Sequence, residues 1–248
     1  MELTEVLDKI EAVLCQQINQ IQPLAIDDEQ QQAQQRLQQL AKNIPNFISI
    51  LSEPWLVEPI TPHTQQILLD CACIHLCARV VDDAIDENLA IHRQNLLFMQ
   101  PLYWQTLLQM GARYSPHYQA CITLIKETVI AVAEDDKQAN PQQWGAKNHH
   151  LLLVPLLLSN NSDAYVLAKD SLSLMMAMAQ AKDEWVQGEF KNADINEQFF
   201  GLLHKALSPH HISCLKKLGW HYAAQRIVDD ARFLIHQFKK NSTLFTLE

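Results

Sequence analysis

Apolar residues recur along this chain at intervals of three and four, the spacing of one helix face. Leu3, Val6, Leu7, Ile10, Val13, Leu14 and Ile18 predict a first helix over residues 2 to 21, ended by Pro23. After Asp27-Asp28-Glu29, a glutamine-rich stretch keeps the spacing at Ala33, Leu37 and Leu40, and predicts a peripheral helix over 30 to 40. Pro45, Pro54, Pro59 and Pro62 then predict short helical pieces with turns. A long central helix is expected from Pro62 to Asn88, and a second from Ala90 to Met110, bent near Pro101. Residues 111 to 116 read as a turn, His117 to Glu134 as a helix, and Gln142 to Leu158 as a helix kinked at Pro155. Asn160 to Asp163 offers helix caps for a second long helix, Ala164 to Phe190. Two final helices are expected, Glu197 to Leu207 and His210 to Lys239.

Composition supports the all-α reading. Five glycines in 248 residues is far below the usual share of about 7 %, and strand-rich folds need glycine at their turns. With no sharp change in composition and no internal repeat, the chain reads as a single domain, residues 1–248. Its core spans about 60–240, and the first 60 residues form peripheral helices. A net charge of −9 argues against nucleic acid as a partner and against attraction to anionic lipid. The longest apolar run, Leu151 to Leu158, has eight residues and is interrupted by Pro155, so no transmembrane segment is expected. An acidic start without a signal-peptide pattern, and six cysteines without knuckle spacing, point to the cytoplasm. Cys71, Cys73 and Cys77 share one helix and read as small apolar core residues.

Three stretches carry candidate chemistry. Val80-Val81-Asp82-Asp83-Ala84-Ile85-Asp86-Glu87 ends the central helix. Asp82 and Asp86 lie one turn apart with Asp83 beside them, so their like charges repel unless a cation intervenes. Oxygen-only ligands suit a hard ion such as Mg²⁺. The competing account is an ordinary surface pairing of Arg79 with Asp82 or Asp83, worth under about 1 kcal/mol. His75, Arg79 and Arg93 fall on neighbouring faces. Gln180-Ala181-Lys182-Asp183-Glu184-Trp185-Val186-Gln187 repeats the arrangement, because an apolar stem again delivers Gln180, Asp183, Glu184 and Gln187 to one helix face. Trp144 to His150 places Lys147, His149 and His150 ahead of an apolar helix, where a lysine could reach a phosphate. For the two histidines, surface or internally bonded side chains are the simpler account.

Ile67 to Arg93, with Asp82-Asp83-x-x-Asp86-Glu87, resembles the first aspartate-rich motif of the class I isoprenoid synthases. Gln180 to Gln187 is similar to the second motif of the polyprenyl group, and Trp144 to Pro155 to the helix that supplies a diphosphate-facing lysine, here Lys147. The resemblance implies a helical bundle around a central apolar cavity. It also implies Mg²⁺-dependent ionisation of a prenyl diphosphate, with release of pyrophosphate and a terpene or prenyl-transfer product. Metal ligands would be Asp82, Asp83 and Asp86, with Asp183, Glu184 and Gln187 opposite, holding three Mg²⁺ ions with the diphosphate. Arg79, Arg93, Lys147 and Gln180 would contact substrate. Homodimers are common in the family, so a homodimer is a candidate assembly. The chain also departs from the pattern. Glu184 and Gln187 replace aspartates, the Gly-Lys-Arg-x-Arg-Pro type signature has no match, and residues 30 to 62 offer only Arg36 and Lys42 as bases. A helical binding protein that kept the fold and lost catalysis is therefore the alternative. A Mg²⁺-dependent nucleotide pyrophosphohydrolase is a third reading.

Overall fold

The computed structural model describes residues 3–21, 27–53, 60–86, 90–113, 117–135, 141–148, 154, 156–158, 162–190 and 197–241. Among these residues the regular elements are helices, and no strand occurs. The chain divides into two compact units, Met1–Tyr118 and Gln119–Glu248.

The first unit contains α1 (Leu3–Ile21), α2 (Asp28–Ser52), α3 (Pro62–Asp86), α4 (Ala90–Phe98) and α5 (Gln100–Arg113). Val6, Ile10, Leu14 and Ile18 form the buried stripe of α1, and it packs on α2. Asp27 caps α2 by accepting from the Gln30 amide at 2.8 Å. The glutamine-rich helix is longer than its sequence suggested. It runs through Pro45 to Ser52, where short pieces and turns were expected. An internal proline costs a helix about 3 kcal/mol, but Ala41, Ile44 and Ile48 are all buried around it, and that packing holds the helix together. The α2 helix packs against α1, α3 and α4, so it is a central element of this unit. Pro54 and Pro59 lie outside the described residues.

Thr61 caps α3, its hydroxyl accepting from the Thr64 amide at 3.1 Å. Ile67, Leu68, Ala72, Leu76 and Val80 are buried along it. The helix ends at Asp86, and Glu87 and Asn88 lie outside the described residues. The expected single helix from Ala90 is two, meeting at Met99. Pro101 has no amide hydrogen to continue the ladder, and Gln100 turns its side chain back onto the Leu96 carbonyl at 3.1 Å. The α5 helix continues to Arg113, past the glycine where a turn was expected.

The second unit contains α6 (Tyr118–Asp135), α7 (Pro141–Asn148), α8 (Ser162–Gln187), α9 (Glu197–Ala206), α10 (Pro209–Lys217) and α11 (His221–Asn241). Val154 and Leu156–Leu158 are also helical, while Pro155, His149 and His150 lie outside the described residues. The central helix here is α8, packed by α7, α9, α10 and α11. The last expected helix is broken in two. Gly219 adopts a φ of 88°, a left-handed conformation that other residues enter only with strain, and the Trp220 amide folds back to the Leu215 carbonyl at 2.9 Å. Gly188, at φ 78°, ends α8 in the same way. No described helix is long and apolar enough to cross a membrane.

Candidate functional site

The acidic end of α3 is a mixed cluster of charges. Asp82 is half exposed and is paired with Arg79 three residues earlier. Asp83 is different, with only 6 % of its side chain exposed. Arg36 of α2 donates to Asp83 Oδ2 through Nε at 3.1 Å and Nη2 at 2.8 Å. Arg79 Nη2 reaches Asp83 Oδ1 at 3.3 Å, and the buried His92 of α4 places Nδ1 3.9 Å from Oδ2. A carboxylate removed from water is costly unless paired and hydrogen-bonded, and the two guanidiniums meet that requirement. Asp86 is the last residue of α3, and its side chain is not among those described. Arg93 is exposed on α4 beside His92.

Arg36 was absent from the sequence-based site. A signal for it does exist: it stands three residues after Ala33 and four before Leu40, both buried, which puts it at the edge of the face that α2 turns inward. Asp70 was missed too. It is buried in the middle of α3, held by Arg113 of α5 through both oxygens at 2.7 and 2.8 Å and by Gln66 at 3.0 Å. A lone aspartate inside the apolar run from Ile67 to Ala78 needs such a partner.

In the second unit, α8 carries Gln180, Asp183, Glu184 and Gln187 in its last two turns. Gln180 donates to Glu184 at 3.0 Å, while Asp183 and Gln187 are exposed. A buried ionic contact among the described residues involves Lys182, which the sequence reading left without a role. Its Nζ lies 2.6 Å from Oδ1 of the buried Asp230 on α11, whose other oxygen meets Arg226 Nε at 3.3 Å. Lys182 therefore ties α8 to α11.

Lys147 is half-buried near the last described residue of α7, and residues 149–153, over which a longer helix was expected, lie outside the described residues. Its neighbours Trp144 and Gly145 serve packing. A Cβ on Gly145 would stand 2.2 Å from the Ser173 carbonyl oxygen, so only glycine lets α7 approach α8 this closely. Trp144 is fully buried and meets Phe190 and Phe199 edge-on, at centroid distances of 5.6 and 5.9 Å. Phe238 and Trp185 extend this aromatic core.

The cysteines match the expectation of core residues. Cys71, Cys73, Cys77 and Cys121 are buried. Burial pushes the Cys73 and Cys77 thiols up to about 12, which keeps them protonated and unreactive. Among the described residues, no three His, Cys, Asp or Glu side chains are grouped to hold a metal ion. Comparisons with protein-family models, with curated proteins and with solved structures found nothing that matches this chain.

Proposed function

We propose that the charged cluster at the end of α3 is a Mg²⁺–diphosphate site, and that the protein ionises a prenyl diphosphate in the manner of class I isoprenoid synthases. The observation that carries this is the pairing of two adjacent carboxylates, Asp82 and Asp83, with two guanidiniums, Arg36 and Arg79, at the end of an apolar helix. Without ligand, such groups neutralise one another. A metal diphosphate offers each a better partner, oxygens for the arginines and a hard cation for the aspartates. The donor set on α3 is all oxygen and fits Mg²⁺, with Asp82 the more accessible ligand. Bound there, the metal would supply Lewis-acid stabilisation of the departing pyrophosphate.

In this scheme Arg36 and Arg79 turn from carboxylate to phosphate oxygens when the diphosphate binds, and the electron pair of the breaking C–O bond then leaves with pyrophosphate. The charge that builds on the leaving group meets guanidiniums already in place. Within the same unit, Arg93 is a further candidate for phosphate contact and Asp86 for metal contact; on the second unit, taken by itself, Lys147 is a candidate for phosphate contact and Asp183, Glu184 and Gln187 for metal contact. A central apolar cavity for the allylic cation and a homodimer belong to the same proposal. So does a cytoplasmic location.

A catalytically silent binding or partner protein of the same architecture is the second reading, favoured by the burial of Asp83 against Arg79 of its own helix and Arg36, which joins α2 to α3. The test is pyrophosphate release from geranyl, farnesyl and geranylgeranyl diphosphates with Mg²⁺. The expected outcome is release by the native chain, with at least a ~100-fold loss in Asp82→Ala, because a charge-stabilising group is removed from the site. Asp82 is exposed, so the helical signal in circular dichroism should not change. No release with any chain length would leave the binding protein, and full activity in Asp82→Ala would remove the metal assignment.

A further inference from the structure

His92, Asn95 and Met99 follow one another at intervals of three and four residues, and all three are buried. They lie on the side that α4 turns toward α2 and α3. The inward stripe of a surface helix is ordinarily apolar, so two polar side chains there need a reason. Asn95 is the sharper case. It is 1 % exposed, and neither Nδ2 nor Oδ1 has a hydrogen-bond partner among the described residues. A buried amide left unpaired has lost its water and gained nothing in return, which costs the resting fold stability. One helical turn before it, on the same side of α4, His92 sets Nδ1 3.9 Å from Asp83 Oδ2.

We propose that Asn95 is a positioning residue for the liganded state, its amide taking over Asp83 when Arg36 leaves that carboxylate for the diphosphate. This role rests on the diphosphate reading, which supplies the reason for Arg36 to leave. Asp83 is buried and held by Arg36 and Arg79. Once guanidiniums turn to phosphate oxygens, a carboxylate at that depth is left short of donors, and breaking such a pair is costly unless another group replaces the one that left. Asn95 holds an amide with two N–H donors in reserve one turn away. The amide is neutral, so it adds no charge to the core, and the terminal torsion of asparagine is broad enough for it to turn within one rotamer. The spare donor and the carboxylate that loses its partner are thus complementary. Asn95 lowers the cost of releasing Arg36 and keeps Asp83 in place beside Asp82.

A thermal-unfolding cycle on the full chain is the first test, with Arg36→Met standing for the departure of the guanidinium while keeping most of its stem. Asn95→Leu keeps the branching of the side chain and removes its polar atoms. Alone, it should raise the melting temperature by about 2 °C or more, because an unpaired buried amide is lost. In the Arg36→Met background it should lower the melting temperature instead, because Asp83 then loses its reserve donor. Asn95→Ala, which cannot overpack the site, should show the same difference between the two backgrounds. Should Arg36→Met lose its helical signal in circular dichroism, Arg79→Met takes its place, since Arg79 is the other guanidinium at Asp83. An equal effect of Asn95→Leu in both backgrounds overturns the proposal. The second test is the melting shift given by Mg²⁺ with pyrophosphate, which should fall by about half or more in Asn95→Leu. A native chain without any shift overturns the diphosphate reading and this role with it, whereas a shift kept in full by the variant overturns this role alone.

Discussion

Asp82 and Asp83 are adjacent in sequence and opposite in environment. Asp82 keeps 49 % of its side chain in solvent and Asp83 only 6 %. The sequence placed both on one helix end but could not distinguish them, because Arg36, which makes the difference, lies 47 residues away. Ser171 and His211 show the same limit. Their side chains meet at 2.9 Å and join α8 to α10, across 40 residues of chain. Burial, and then the neighbouring His210, lower the His211 pKa below its ordinary 6.5; Lys205 acts the same way and Asp170 opposes them. The unfolded chain therefore takes up the proton first. Stability from this site is complete well above pH 6.5 and falls as pH drops below it, until the folded protein is protonated as well. Thermal unfolding of the native protein and of His211→Gln, from pH 7.5 to 5, should show a steeper acid-side loss in the native protein. Parallel curves would contradict it.

At the scale of elements, periodicity located the helices, and most errors fell at glycine and proline. Pro45 was read as a break because a proline in a helix interior is costly, yet the buried residues on both sides of it outweigh that cost. Gly219 was passed over inside an apolar pattern, although its positive φ splits the last helix. Gly145 was read only as the neighbour of a candidate phosphate-binding lysine. Its role is the close approach of α7 to α8, where a methyl group would meet the Ser173 backbone. Gly145→Ala should therefore destabilise the protein by about 1–3 kcal/mol, as overpacking does elsewhere, despite alanine's better helix propensity. Gly201→Ala is the control, since a Cβ there meets nothing within 4 Å. Chemical denaturation of the two variants checks this, and equal stability would count against the tight contact.

At the scale of the whole molecule, the proposed site makes a thermodynamic prediction that does not depend on turnover. A ligand that binds only the folded state raises the melting temperature. Mg²⁺ with pyrophosphate should therefore stabilise the native chain by a few degrees, equivalent to about 1–3 kcal/mol at saturating ligand. Neither component alone should do as much, because each leaves half of the carboxylate–guanidinium cluster without its partner. Differential scanning fluorimetry on the native chain and on Asp82→Ala provides the measurement. An equal shift in both would place the ligand elsewhere.

Amphipathic periodicity and scarce glycine made the helical class legible from the chain alone, since both follow from local backbone preference and from which face must leave water. The acidic end of α3 was legible for the same reason, being a matter of spacing along one helix. Which charges meet was not. Arg36 with Asp83, Arg113 with Asp70 and Lys182 with Asp230 each join residues more than forty positions apart. Their pairing depends on how helices pack, and helix packing is decided by side chains that touch only after the chain has folded.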